Sequence, residues 1–117
     1  MRTIVDDIAE VTASLDRQQR RKNNPAEYIH QRMSQLIANF QNSLSDDVEV
    51  GINVVGSGAA APFRLRTMTV SNPDILIFDG IDDRGARVRL LQHYTQTAVM
   101  LVVLPKADEK PYRIGFT

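Results

Sequence analysis

NPAEYIHQRMSQLIANFQNSLSDDVEVGINV, residues 24–54, contains the change of hydrophobic period that decides the fold. Ile29, Met33, Leu36, Ile37, Phe40 and Leu44 recur at helical spacing and form a wide apolar stripe, the pattern of a helix laid across a sheet. Asn24 can cap that helix, Pro25 suits its first position, and Glu27 stands where a capping box needs its acceptor. Ser45, Asp46 and Asp47 then supply turn chemistry. From Val48 the period falls to two, with Val48, Val50, Ile52 and Val54 alternating against Glu49, Gly51 and Asn53, as in a strand with one buried face.

The alternation continues toward the C-terminus. Gly56–Pro62 reads as a small-residue loop, and Phe63–Val70 alternates again. Asn72, Pro73 and Asp74 turn the chain into the short apolar run Ile75–Phe78. Asp82, Asp83, Arg84 and Gly85 form a hairpin turn leading to Arg87–Gln92, with Val88 and Leu90 on one face. Ala98–Leu104 is rich in valine and reads as a strand, and Tyr112–Phe116 as a last short one. The expectation is an α+β domain with about six strands in an antiparallel meander, covered on one face by the helix that starts at Pro25.

Upstream, Ile4, Ile8, Val11 and Leu15 lie at spacings of four, three and four on one face of a helix. An isolated helix of this length is marginal in water, so its narrow seam must dock on the sheet or on another subunit. Asp16–Asn24 is nearly all polar and reads as a frayed helix end and charged linker. Residues 1–23 therefore form an amphipathic, oligomerising segment, and residues 24–117 the core domain.

Composition narrows the function classes. Apolar residues at 43% and charged residues at 24% are the balance of a globular chain, and 117 residues suffice for one core. Fourteen basic side chains cancel 14 acidic ones, so the chain lacks the global positive field that holds a nucleic-acid polymer. The absence of cysteine excludes disulfides and thiol nucleophiles. No apolar run approaches membrane-spanning length, and acids interrupt the first apolar stretch, so a cytoplasmic protein is expected.

Catalytic constellations are thin. His30 and His93 fall on different elements with no acid at ligand spacing, and Gly56, Ser57 and Gly58 only loosely resemble a phosphate-cradling turn. Asp74, Asp79, Asp82 and Asp83 crowd one hairpin without the spacing of a calcium loop. Arg20, Arg21 and Lys22 read as a solvated connector or as an anion-binding arm. In the sheet, Phe78, Gln92, His93, Tyr94, Gln96 and Arg113 interrupt the aliphatics, and Arg32 lies on the covering helix. Aromatic, amide and guanidinium groups stack on a base, read its edge and pair with a phosphate, which points to a binder rather than an enzyme, with no metal or cofactor.

Asn24-Pro25-Ala26-Glu27-Tyr28-Ile29, Asn72-Pro73-Asp74 with Phe78-Asp79-Gly80, Leu91-Gln92-His93 with Gln96, and Arg113-Ile114-Gly115-Phe116 resemble a small bacterial and prophage family without a known function. In size, element order and arginine placement the chain also resembles the phage anti-Thoeris sponge proteins, oligomers that sequester cyclic ADP-ribose isomers and, in some members, cyclic oligonucleotides. That resemblance implies a pocket between subunits. Arg32 and Arg113 would sit against phosphates, Phe78 would stack on the base and Gln92 would read its edge, with His93 beside them. The alternative is a protein-interaction or structural module.

Overall fold

The first helix, α1, runs Ile4–Asn23, and α2 runs Pro25–Asn42, in a computed structural model that describes residues 3–56 and 61–116. Ser57 and Gly58 of the glycine turn lie outside the described residues. Thr3 opens α1 with a full capping box, its hydroxyl accepting from the Asp6 N–H and the Asp6 carboxylate accepting from the Thr3 N–H. Asp6 and Asp7 fill the first turn, and Arg20, Arg21 and Lys22 the last, so both ends complement the helix dipole. The expected frayed linker over Asp16–Asn24 is therefore helix through Asn23, and its basic residues stabilise the end that they occupy.

Helix α1 stops where Pro25 requires it. A residue before proline is pushed out of the α region, and Asn24 takes φ −131° and ψ 67°. The Asn24 side chain makes no cap on α2; instead the Ala26 N–H donates to the Pro73 carbonyl at 3.0 Å. The expected capping box is thus replaced by a backbone contact to the turn between two strands.

Five strands follow, β1 (Val48–Val54), β2 (Phe63–Ser71), β3 (Ile75–Ile81), β4 (Arg87–His93) and β5 (Val99–Pro105), all paired antiparallel in the order β4-β3-β2-β1-β5. The sheet is a meander through β4, but β5 returns to pair with β1. Residues 94–98 join the two outer strands, and three of them form a 3₁₀ turn, Tyr94–Gln96. Four strand spacings of a flat sheet amount to ~19 Å, too far for so compact a connector, so the sheet is curled. A β-bulge between Leu65 and Thr67 bends β2. Close by, Gly80 approaches β2 so tightly that a Cβ would fall on the Arg64 carbonyl oxygen.

The expected sixth strand is absent among the described residues: Tyr112–Phe116 has no strand partner and is tied down by side chains. The Tyr112 N–H donates to Glu49 Oε2 at 2.9 Å, and Ile114 exchanges two hydrogen bonds with the buried Gln41 side chain of α2. Glu49 is only 1% exposed, with its Oε1 3.1 Å from Arg64 Nε and 3.2 Å from Arg66 Nη1. The Arg66 guanidinium covers the Tyr112 ring at 4.4 Å.

Ile37 of α2 meets Val50, Ile52, Phe63, Leu65, Met68, Leu76, Phe78 and Ile114 in the core, with Ile29, Met33, Phe40 and Leu44 packed against it. Each such side chain, fully buried, contributes about 1.5–3 kcal/mol. Leu36 lies outside this stripe and is exposed, so the sheet-facing side of α2 is narrower than the periodicity suggested. Helix α1 buries no residue, and the molecule measures 59 × 30 × 19 Å.

Candidate functional site

The bend at Asn24–Pro25 gives the two helices a concave inner side. Arg17, Arg20, Arg21, Asn24, Glu27, Tyr28 and Gln31 recur at spacings of three and four across it, one continuous face of a helix broken in the middle. They line a hollow of about 220 Å³. Three of its side chains are cationic and Glu27 alone is acidic, a local excess of positive charge on a chain of zero net charge. Among the described residues, no carboxylate is ion-paired with Arg17, Arg20 or Arg21. Arg21 lies over the Tyr28 ring, 4.6 Å from its centroid, a contact worth about 0.5–1 kcal/mol where exposed.

Chemically, the hollow offers guanidinium forks for paired anionic oxygens, an aromatic face, and the amides of Asn24 and Gln31 as polar readers. Arg20 and Arg21 stand on the last turn of one helix, Arg17 one turn earlier, and Tyr28 on the first turn of the next, so the bend itself sets their spacing. Arg32 stands one turn beyond Tyr28 on the exposed side of α2, donating to Gln35 Oε1 at 3.2 Å.

The other sequence candidates are placed differently. Phe78 is fully enclosed in the core, opposite Leu90 and Met68, and offers no face to a ligand within one chain. The Arg113 guanidinium donates to the carbonyls of Val48, Ser45 and Tyr112, anchoring the C-terminal tail to the start of β1. Gln92 pairs with Leu76 at the end of β4, and its half-buried side chain leaves Oε1 without a hydrogen-bond partner among the described residues. Gln92 and His93 are sequence neighbours, but the five candidates do not converge on one surface of a single chain.

His93 does have an acid beside it, which its sequence spacing concealed. Its Nε2 lies 3.6 Å from Asp74 Oδ2, because β3 and β4 pair Ile75 with His93. Its Nδ1 accepts from the Thr95 N–H at 3.2 Å and lies 2.7 Å from the Thr95 hydroxyl, capping the 3₁₀ turn. Both ring nitrogens are thus engaged in holding the corner between β4 and β5. His30 is also structural, with Nε2 2.7 Å from the Met68 carbonyl between α2 and β2.

Among the described residues, no group of three or more His, Asp or Glu side chains is placed to hold a metal ion, and no helix is long and apolar enough to cross a membrane. Residues 18–117 match a family described as of unknown function, DUF6173. No curated protein and no solved structure matches the chain. The matched span includes α2, the whole sheet and most of the arginine-lined bend, whereas the apolar seam from Ile4 to Leu15 precedes it.

Proposed function

The chain belongs to the family of unknown function DUF6173, and we propose that it binds a phosphorylated small molecule, a nucleotide or cyclic nucleotide signal, and holds it without converting it. The observation that carries this reading is the gathering of Arg17, Arg20 and Arg21 with Tyr28 on the inside of one helical bend. Charge-assisted bonds from guanidinium forks are among the stronger polar contacts available to a protein, and a base stacked on an aromatic ring adds about 1–3 kcal/mol. At about 220 Å³ the hollow is smaller than the ~300–1,000 Å³ usual for a whole ligand. It suits the phosphate end of a nucleotide, with the remainder extending along α2 toward Arg32. Sequestration of an immune signal such as a cyclic ADP-ribose isomer is the specific form of this reading that the sponge resemblance suggests.

Calorimetric titration with ADP, cyclic ADP-ribose and adenosine tests it. The phosphorylated compounds bind, affinity falls as salt rises, adenosine does not bind, and heat-denatured complex returns the ligand intact. Replacing Arg17, Arg20 and Arg21 by alanine, a good helix former on an exposed face, abolishes binding while leaving helix content unchanged. Equal binding of adenosine, or binding indifferent to the triple replacement, overturns the site; recovery of altered ligand overturns the non-enzymatic reading.

A further inference from the structure

Helix α1 presents Ile4, Ile8, Val11 and Leu15 at 58–78% exposure, a connected apolar seam that none of the described residues buries. The bend at Asn24–Pro25 carries α1 away from the sheet, so the core does not cover the seam. We propose that the seam is the dimerisation surface of the protein, and that its partner is α1 of a second copy running antiparallel.

Two features of the helix identify that occupant. The seam spacing of four, three and four reads the same in both directions, so a two-fold axis passing between Ala9 and Glu10 maps the seam onto itself. Ile8 then faces Val11 of the second copy, and Ile4 faces its Leu15, giving four apolar layers that each join an a-type and a d-type position. Charge selects the direction. Asp6, Asp7 and Glu10 lie in the first half of α1, and Asp16 with Arg17, Arg20, Arg21 and Lys22 in the second. A parallel pair would set Asp6 and Asp7 beside their copies, Arg20, Arg21 and Lys22 beside theirs, and align the two helix dipoles. In the antiparallel register Asp6 and Asp7 instead face Ala13 and Thr12, the basic ends lie at opposite ends of the pair, and the dipoles oppose.

In this register the layers span Ile4–Leu15 and the two bends point outward at opposite ends, so dimerisation and ligand binding are separable properties. The single Ile8→Glu replacement buries a carboxylate at the centre of the interface and leaves the arginines and the core untouched.

Sedimentation equilibrium over a range of concentrations reads the association. The wild-type protein forms a dimer, and Ile8→Glu weakens it by at least about a hundredfold, with circular dichroism still showing a folded sheet. Orientation is read by cross-linking, for which the cysteine-free chain provides a clean background. Under mild oxidation, a mixture of Ile4→Cys and Leu15→Cys proteins yields mainly the mixed disulfide, while neither protein alone yields much dimer. Predominant Ile4→Cys homodimers would show a parallel pair and overturn the proposal. A monomer at all concentrations, or an Ile8→Glu dimer as tight as wild type, would overturn it as well.

Discussion

Replacing Glu49 by glutamine tests how the C-terminal tail is fastened to the sheet. The Glu49 carboxylate is almost completely enclosed, receives the Tyr112 N–H on one oxygen and faces Arg64 and Arg66 with the other. Glutamine keeps the shape and one acceptor but removes the charge, leaving two guanidinium groups uncompensated. Breaking a buried ion pair costs about 3–5 kcal/mol. Arg64 and Arg66 keep 15% and 19% of their side-chain exposure, and Arg64 retains two hydrogen bonds to the Pro105 carbonyl, so the lower end applies. A loss of about 3 kcal/mol corresponds to a fall in Tm of roughly 12 °C for a chain of this size. Urea denaturation measures the loss, with Asp83→Asn on the exposed hairpin turn as a control that stays within about 0.5 kcal/mol. Hydrogen exchange locates it: the Tyr112 and Ile114 amides exchange faster in Glu49→Gln, while those of β3 are slowed or quickened only with global stability. A loss under about 1 kcal/mol, or tail amides as protected as in wild type relative to β3, would refute the carboxylate's role.

Other outcomes follow from single positions. Gly80→Ala drives a Cβ onto the Arg64 carbonyl oxygen and strongly lowers the thermal midpoint, whereas Gly115→Ala, with open space at its Cα, changes it little. The hydrogen bond from Arg89, aided by its charge, holds the Asp79 carboxyl below its ordinary range although partial burial acts the other way. A depressed folded-state pKa gives stability that is present above the unfolded value and is lost as pH falls through the folded one. The small advantage of wild type over Asp79→Asn in thermal melts is therefore full at neutral pH and shrinks below about pH 4. A constant advantage down to pH 2 would contradict that pairing.

Much of the fold was legible because hydrophobic period reports burial directly. The stripe of α2 and the Val88 and Leu90 face of β4 follow from residues that had one side available to the core. Strand β1, expected to bury one face, instead buries Glu49 and Gly51 as well as Val50 and Ile52 because it is an inner strand between β2 and β5. The tail was misread as a strand because Glu49 looks like a surface polar by alternation and Gln41 by its residue type, yet their buried side chains supply the hydrogen bonds that a neighbouring strand would have given. The return of β5 to β1 was hidden for another reason: a local pattern fixes a strand's faces but not its neighbour.

The site divides in the same way. Phe78 has the composition of a stacking residue and the alternation of a core residue, and alternation prevailed. Arg113 was read as a phosphate-binding residue, whereas within one chain its guanidinium is committed to backbone carbonyls that no sequence pattern identifies. The face from Arg17 to Gln31 does follow helical spacing, and a signal for it exists in the sequence. Dividing the chain at a supposed linker over Asp16–Asn24 broke that spacing in two and concealed it. Asp74 joins His93 only through the register of β3 with β4, which spacing along the chain cannot give.

The most direct measurement is amide and arginine side-chain NMR of the full chain titrated with ADP and, in parallel, with pyrophosphate. Binding in the helical bend predicts saturable shifts at Arg17, Arg20, Arg21 and Tyr28, with little change at Arg113, His93 or Phe78. Saturable shifts centred on Arg113 and His93, or no saturable shift with either compound, would contradict it.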